Sequence, residues 1–413
     1  MRIAIVGGGI SGMTAGWLLH GSHEITLFEA NDYIGGHTHT VAVESGGETA
    51  GVDMGFIVYN DWTYPNFIKL LARLGVETLP SDMSFSVSDR NTDFEYCSRS
   101  LDALFAKRSH LLSPAFIRML LEILRFNREA KVFLKGDDIR TPLEEWLSSR
   151  GYSRMFAERY LYPMMSAIWS ANPRDVRNFP ARHFMAFFDN HGLLNITHGP
   201  QWRVIKGGSA RYAEKLTAPW RDRIRLNTPV VTVRRAPDGV MVTPRGGAAE
   251  TFDEVIFACH SDETLGMLAD ATDLEREILG AIPYQKNDVV LHTDTTLLPR
   301  RRRAWASWNY HVLPVEPGRT TLTYNMQMLQ SFDPPRPFCV SLNTDGMDPA
   351  SVVKRIVCHH PVFNADGLEQ QKRHEEINGK NRAHFCGAYW GYGFHEDGVN
   401  SALAVCKAFG KGL

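Results

Sequence analysis

Cysteine is scarce and scattered. The 413 residues contain six, at positions 97, 259, 339, 358, 386 and 406. They form no C-x-x-C pair and no short framework, which excludes a zinc ribbon or a disulfide scaffold and fits a reduced, cytoplasmic setting. A surplus of either charge is lacking as well. Lys+Arg total 45 against 46 Asp+Glu, a net charge of -1, so the chain is not a generally basic nucleic-acid binder and no nucleic-acid partner is expected. No uncharged apolar run approaches the ~20 residues that span a bilayer. The nearest, Leu111 to Phe126, is broken by Arg118, Glu122 and Arg125. A cleaved export signal is not expected, because Met1-Arg2-Ile3-Ala4-Ile5-Val6 runs straight into glycines with no apolar segment or cleavage site between. There is no G-x-S-x-G nucleophile elbow, no paired metal signature and no fixed-period repeat. With 44% hydrophobic residues the chain has core enough for about two or three domains.

The strongest signal stands at the start. A short apolar strand, Ile3 to Val6, enters Gly7-Gly8-Gly9-Ile10-Ser11-Gly12 and then a helical stretch from Met13 to Leu19. In this G-x-G-x-x-G turn Gly7 permits the bend, Gly9 lets backbone approach a pyrophosphate, and Gly12 lets helix and strand pack closely, with the helix N-terminus facing the anion. A second strand, Glu24 to Phe28, ends in Glu29, where a carboxylate can accept ribose hydroxyls. Next comes Tyr33-Ile34-Gly35-Gly36-His37-Thr38: the glycine pair can again bring amides to phosphate, and His37 and Thr38 offer neutral or switchable donors. His37-x-His39 has no third ligand nearby, so no metal is expected.

Two distant segments read as returning parts of the same domain. After Lys206-Gly207-Gly208, Ser209 is a candidate N-cap for a helix over Ala210 to Leu216. Pro229 to Val233, Val240 to Val242 and Phe252 to Ala258 then read as strands joined through the Pro237-Asp238-Gly239 turn. Near the end, Phe385-Cys386-Gly387-Ala388 breaks from a strand into glycines and restarts as a helix around Asp397-Gly398-Val399.

These motifs resemble the flavin amine oxidase and phytoene desaturase superfamily. The resemblance implies an α/β fold: a Rossmann-type FAD-binding domain from residues 1–60, 204–285 and 375–413, interleaved with an α+β substrate domain from 61–203 and 286–374. It implies that FAD is held by Gly7, Gly9, Ile10, Ser11, Gly12, Glu29, Ala30, Gly36, His37, Thr38, Gly55, Phe56, Val231, Ala258, Gly387, Asp397, Gly398 and Val399. Two departures stand out. Relatives carry arginine before and after the glycine pair, where this chain has Tyr33 and His37. They also carry a Gly-Glu pair where this chain has Gly387-Ala388, so Glu396 or Asp397 is expected to stand in.

The intervening residues read as helix over much of 61–203 and as strand runs at Val289 to His292, Trp305 to His311 and Thr320 to Met326. Leu111 to Lys135 mixes large apolar residues with Arg118, Arg125, Arg128, Lys131 and Lys135. It reads either as a membrane-interface helix or as a core helix with a solvated basic face. Arg300-Arg301-Arg302-Arg303, followed by Trp305, Trp308 and Tyr310, reads equally as an anionic-lipid contact or as a charged turn before an edge strand.

Gly51 to Asn60, Tyr162 to Trp169 and Phe385 to Ala402 resemble bacterial flavoproteins associated with cyclopropane-synthase-like lipid methyltransferases, in particular the methyl-branched fatty acid desaturases of furan fatty acid biosynthesis. That resemblance implies desaturation of a membrane phospholipid acyl chain at a peripheral site on the inner face of the cytoplasmic membrane. No base is fixed; Tyr310 and His395 are the candidates. The alternatives are an amine oxidase, with Lys206 as a flavin-linked lysine, a polyene desaturase-isomerase, and a non-catalytic lipid or prenyl carrier. A homodimer is compatible with all of them.

Overall fold

A computed structural model describes residues 1–172, 174–313 and 319–413. Its organising element is a five-stranded parallel sheet in the order Ile224–Arg225, Glu24–Phe28, Arg2–Val6, Glu254–Phe257, Ala383–Phe385. The apolar strand at the chain start sits in the middle, with Ile3, Ala4 and Ile5 fully buried, and segments far away in sequence complete it on one side. The antiparallel meander Val230–Ala236, Gly239–Pro244, Glu250–Phe252 lies in the stretch that returns to this sheet.

The first helix, Ile10–Leu19, is buried at eight of its ten positions. Glycine brings its neighbours close. A Cβ on Gly12 would sit 2.0 Å from the Gly7 carbonyl oxygen, one on Gly16 would sit 2.5 Å from the Trp220 ring, and one on Gly398, in the last helix His395–Lys407, would sit 2.6 Å from Ile10 Cγ2. Ser11 Oγ donates to the Gly398 carbonyl at 2.9 Å, so the two helices are bonded as well as packed.

The second layer is a seven-stranded mixed sheet in the order Val352–Pro361, Tyr284–His292, Cys339–Leu342, Leu322–Asn325, Trp308–His311, Phe85–Asp89, Phe94–Cys97. Two of its strands come from a region that the sequence pattern assigns largely to helix. Phe85–Asp89 and Phe94–Cys97 are buried on both faces, and that burial hides the alternation by which a strand is recognised. The expected helices are present as Pro65–Arg73, Leu101–Leu104, Pro114–Phe133, Leu143–Ser149 and, further on, Tyr162–Trp169 and Ala181–Asn190. The inner faces of the last four close the largest core cluster, with Phe116, Phe126, Phe184 and Phe188 fully buried, while Pro65–Arg73 packs in another cluster through Phe67, Leu70 and Leu71.

The junction between the layers is polar. Asp53 is completely buried. Its carboxylate accepts from Thr40 Oγ1 at 2.5 Å, from the Ser209 amide and hydroxyl at 2.9 and 2.7 Å, and from Gln330 Nε2 at 3.0 Å. Burial pushes the Asp53 carboxyl up to about 6, against the pull of those donors. The same network corrects the expected cap. Ser209 lies before the helix Ala210–Thr217 but makes no capping bond, because its hydroxyl is given to Asp53; Thr40 Oγ1 accepts from the Ala210 amide instead.

Trp220 is fully buried and its Nε1 donates to the Leu216 carbonyl, so it has no room to withdraw from the first helix. Gly16→Val therefore costs about 1–3 kcal/mol by overpacking. Urea denaturation of the variant is expected to show a clearly lower midpoint than the parent.

Candidate functional site

Between the layers lies a cavity of about 940 Å³. One part of its wall is the nucleotide motif itself: Gly7, Gly8, Gly9, Ile10 and Ser11 at the N-terminus of the first helix, then Glu29, Ala30 and Asn31 at the end of the second strand. Gly7 adopts φ +105°, a turn closed to residues with a side chain, and its amide donates to the Phe28 carbonyl at 2.9 Å. Glu29 is buried. It accepts from the Gly8 amide at 2.7 Å and from the Asn31 amide and side chain at 2.8 and 2.7 Å, which locks the loop into position.

Two observations show that this wall fits a dinucleotide. A Cβ on Gly9 would meet no heavy atom within 4 Å although Gly9 lines the cavity, so the glycine leaves a cradle open at the helix N-terminus. The Gly36 Cβ position lies 3.1 Å from Gly9 Cα, which brings the glycine pair beside that cradle, and the buried Nε2 of His37 has no hydrogen-bond partner. A polar atom stranded next to an anion-shaped space is what a pyrophosphate would satisfy.

His37 is not alone. Its ring centroid lies 5.2 Å from that of His360 and 6.1 Å from that of His260, and His260 lies 6.4 Å from His359; all four line the cavity. Burial, then the neighbouring His260, pushes the His37 ring down to about 4; burial pushes His260 to about 4 and His360 to about 3. His360 is held by a relay: Asn343 Nδ2 donates to Asn287 Oδ1 at 2.7 Å, which orients Asn287 Nδ2 toward His360 Nδ1 at 2.8 Å. His360 Nδ1 therefore accepts, and the ring proton sits on Nε2. No group of three or more metal-ligating side chains exists among the described residues.

Of the residues expected at FAD, Gly7, Gly9, Ile10, Ser11, Glu29, Ala30, Gly36, His37, Gly55, Phe56, Val231, Ala258 and Gly387 line the cavity. Gly12, Thr38, Asp397, Gly398 and Val399 are not in its wall. Gly12 and Gly398 provide close packing, and Val399 is core beside Ile10 and Met13. Asp397 Oδ2 accepts from the Phe394 amide at 2.9 Å and shapes the turn before the last helix; burial pushes its carboxyl up to about 6. Glu396 turns away altogether, accepting from the amides of Asn66 and Phe67 at 3.0 and 2.8 Å. Neither acid lines the cavity.

The base candidates fare differently. Tyr310 is buried in the core of the seven-stranded sheet, outside the cavity wall. His395 is in the wall, but its ring stacks on Phe56 at 3.5 Å and its Nε2 is engaged by Thr38 Oγ1 at 3.0 Å and the Tyr212 hydroxyl at 2.9 Å. Burial holds it well below the usual histidine range, so it serves as a neutral structural ring. Lys206 pairs with Glu77 at 2.6 Å and does not line the cavity, which removes it as a flavin-linked lysine.

The rest of the wall is assembled from segments far apart in sequence. Val58, Ile168, Trp169, Trp308, Tyr324, Ile356, Phe363 and Phe394 give it an apolar, aromatic surface, while its charged side chains are Glu29, Glu263 and Arg245.

Residues 10–336 match the family model for flavin containing amine oxidoreductases. A flavin-containing monoamine oxidase of Mycobacterium tuberculosis is 27% identical over 267 residues, 60% of this chain and 54% of that protein. Amine oxidase B of Cavia porcellus is 23% identical over 311 residues, covering 70% and 54%. The chain thus spans about half the length of these relatives. Among solved structures, cyclohexylamine oxidase from Brevibacterium oxydans IH-35A shares the fold with a TM-score of 0.69 at 16% identity, covering 99% of both chains. A fatty acid isomerase from P. acnes does so with a TM-score of 0.69 at 16% identity, covering 99% and 98%.

Gly9→Ala places a methyl in the open cradle with no protein heavy atom within 4 Å of it. The cofactor-free variant is expected to melt like the parent and to bind FAD at least about tenfold more weakly in a fluorescence titration. A diphosphate beside His37 favours the protonated ring, so binding takes up a proton. FAD affinity is then greatest below about 4, where the free ring is already charged. It falls as pH rises, by up to about tenfold per unit per proton, until the ring's higher bound-state pKa is passed. His37→Arg, charged throughout, is expected to flatten that slope; an equal slope in parent and variant would show that His37 does not face the phosphate.

Proposed function

We propose that this chain, which belongs to the flavin-containing amine oxidoreductase family, uses its FAD to desaturate an acyl chain of a membrane phospholipid. The substrate in this reading is a methyl-branched monounsaturated chain. It loses two hydrogens next to its double bond and becomes a conjugated methylated diene, the precursor form for furan fatty acid biosynthesis.

The observation that carries the proposal is the composition of the cavity wall. Its three charged side chains, Glu29, Glu263 and Arg245, belong to the nucleotide-binding strands and turns or to the helix beside them. The part built from Trp169, Trp308, Tyr324, Ile356, Phe363 and Phe394 presents apolar surface suited to a long hydrocarbon. FAD, when bound, supplies the hydride acceptor; the second hydrogen leaves as a proton to water or to a basic group at the cavity wall. The chain's own contribution is to hold the allylic carbon in a dry, fixed place, since the neighbouring alkene already weakens that C–H bond. Trp169 stiffens this wall, its Nε1 donating to the Tyr392 carbonyl at 3.3 Å. The known action of one fold neighbour on fatty acids is consistent with this use of the architecture.

A second reading, oxidation of an amine, is favoured by the sequence relatives and by the edge-to-face pair of Trp308 and Tyr324, 4.8 Å apart in the wall. The two separate in one experiment. The yellow, FAD-loaded protein is mixed anaerobically with vesicles of methyl-branched monounsaturated phospholipid while the oxidised-flavin band is followed and the acyl chains are weighed by mass spectrometry. Bleaching together with loss of two hydrogens is expected. A band that persists with lipid but bleaches with a primary amine would overturn the acyl substrate.

A further inference from the structure

The helix Pro114–Phe133 has two faces that ask for different surroundings. Its inner face, Phe116, Met119, Phe126 and Ala130, is fully buried in the core. Its outer face carries Ile117, Leu121 and Leu124 at the i, i+4, i+7 spacing of one stripe, with Val132 beyond. The turn just before the helix adds Leu111 and Leu112. Leu112 is 88% exposed and Leu121 60%, and apolar side chains grouped in this way mark a contact surface.

The charges on the helix are sorted as well. Its acids are turned inward: Glu122 accepts from Arg118 Nε at 3.0 Å and from the Ser153 amide at 3.0 Å, and Glu129 accepts from Arg125 Nε at 2.8 Å and the Tyr152 hydroxyl at 3.1 Å. Arg128 and Lys131 stand exposed beside the apolar stripe, Lys131 with a hydrogen bond from Nζ to Asn195 Oδ1 at 2.6 Å but no acid beside it, and no acidic residue of the helix is exposed. A second copy of the chain docked through this face would set Arg128 and Lys131 against their own images with no acid to answer them. The arginine run 300–303 is less available. Arg301 is paired with Asp93 at 2.8 Å and Glu95 at 3.0 Å, Arg303 with Asp102 at 3.6 Å, and Arg302 lies over the Trp305 ring at 5.2 Å.

We propose that the outer face of Pro114–Phe133, with Leu111 and Leu112, docks the protein on an anionic phospholipid surface. The leucines enter the headgroup boundary while Arg128 and Lys131 meet the lipid phosphates. No helix among the described residues is long and apolar enough to cross a membrane, so the contact is interfacial. It does not rest on the acyl-chain substrate, because binding to a lipid surface needs no turnover.

The test is flotation of the FAD-loaded protein with vesicles of phosphatidylglycerol and phosphatidylcholine, against phosphatidylcholine alone. The parent is expected to float with the anionic vesicles and to be released by salt. Leu112→Asp with Leu121→Asp lowers the partition coefficient by about tenfold or more, since two exposed leucines lose their apolar burial. Arg128→Gln with Lys131→Gln lowers it roughly fivefold per charge on anionic vesicles only. Both variants change exposed side chains and are expected to keep the parent's flavin spectrum and melting curve. A parent that stays at the bottom of the gradient at low salt would overturn the proposal, as would leucine variants that float as well as the parent. So would a dimer that the leucine variants break while vesicle binding is unchanged. Loss of turnover with flotation intact would instead fall on the acyl-chain reading.

Discussion

The close approach of the first helix to everything around it is the constraint on which the rest of the molecule depends. Ile10–Leu19 touches the Gly7 turn that leaves the central strand through Gly12, the ring of Trp220 through Gly16, and the last helix through Gly398. Because these contacts are made at glycine, a side chain would displace backbone at Gly12, a buried ring at Gly16 and the Ile10 side chain at Gly398. The same closeness fixes the helix N-terminus beside Gly9 and orients the Gly35-Gly36 loop against it, so fold and cofactor cradle are one construction. Even the last helix serves the site mainly by holding the first: Asp397, Gly398 and Val399 shape turn and packing, while Gly387, Phe394 and His395 reach the wall.

Much of this was legible in the sequence because glycine spacing reports backbone contact directly. The strand–turn–helix start, the acid at Glu29 and the return of distant segments to the same sheet all follow from local pattern. What escaped was set by tertiary contact. Phe85–Asp89 and Phe94–Cys97 lack alternation because both their faces are covered. Ser209 looks like a cap, yet Asp53, distant in sequence, captures its hydroxyl. His260, His359 and His360 carry no motif, and only the pairing of Tyr284–His292 with Val352–Pro361 brings the last two to His37. Glu396 illustrates the reverse case: an acid in a plausible place whose carboxylate is drawn off to start the helix Pro65–Arg73.

His37 gives the cradle a character that an arginine would not. A guanidinium is always charged, whereas a buried imidazole among other imidazoles is neutral until an anion arrives. An anion that binds against this ring would then take up a proton with it, which is what the pH dependence of FAD affinity tests. Away from the nucleotide motif the wall is apolar and aromatic, and the helix Pro114–Phe133 turns apolar side chains outward. Cavity wall and outer helix face both present apolar side chains, a feature that the fold alone, common to amine oxidases and a fatty acid isomerase, does not report.

The most direct test of this account is a crystal structure of the FAD-loaded chain with a methyl-branched acyl phospholipid or its chain soaked in. The account requires the diphosphate against Gly9 and His37, and the hydrocarbon between Trp308, Tyr324, Ile356 and Phe394. A diphosphate bound elsewhere would contradict the cradle. A cavity that admits a small amine but leaves the acyl chain outside would contradict the function built on its wall.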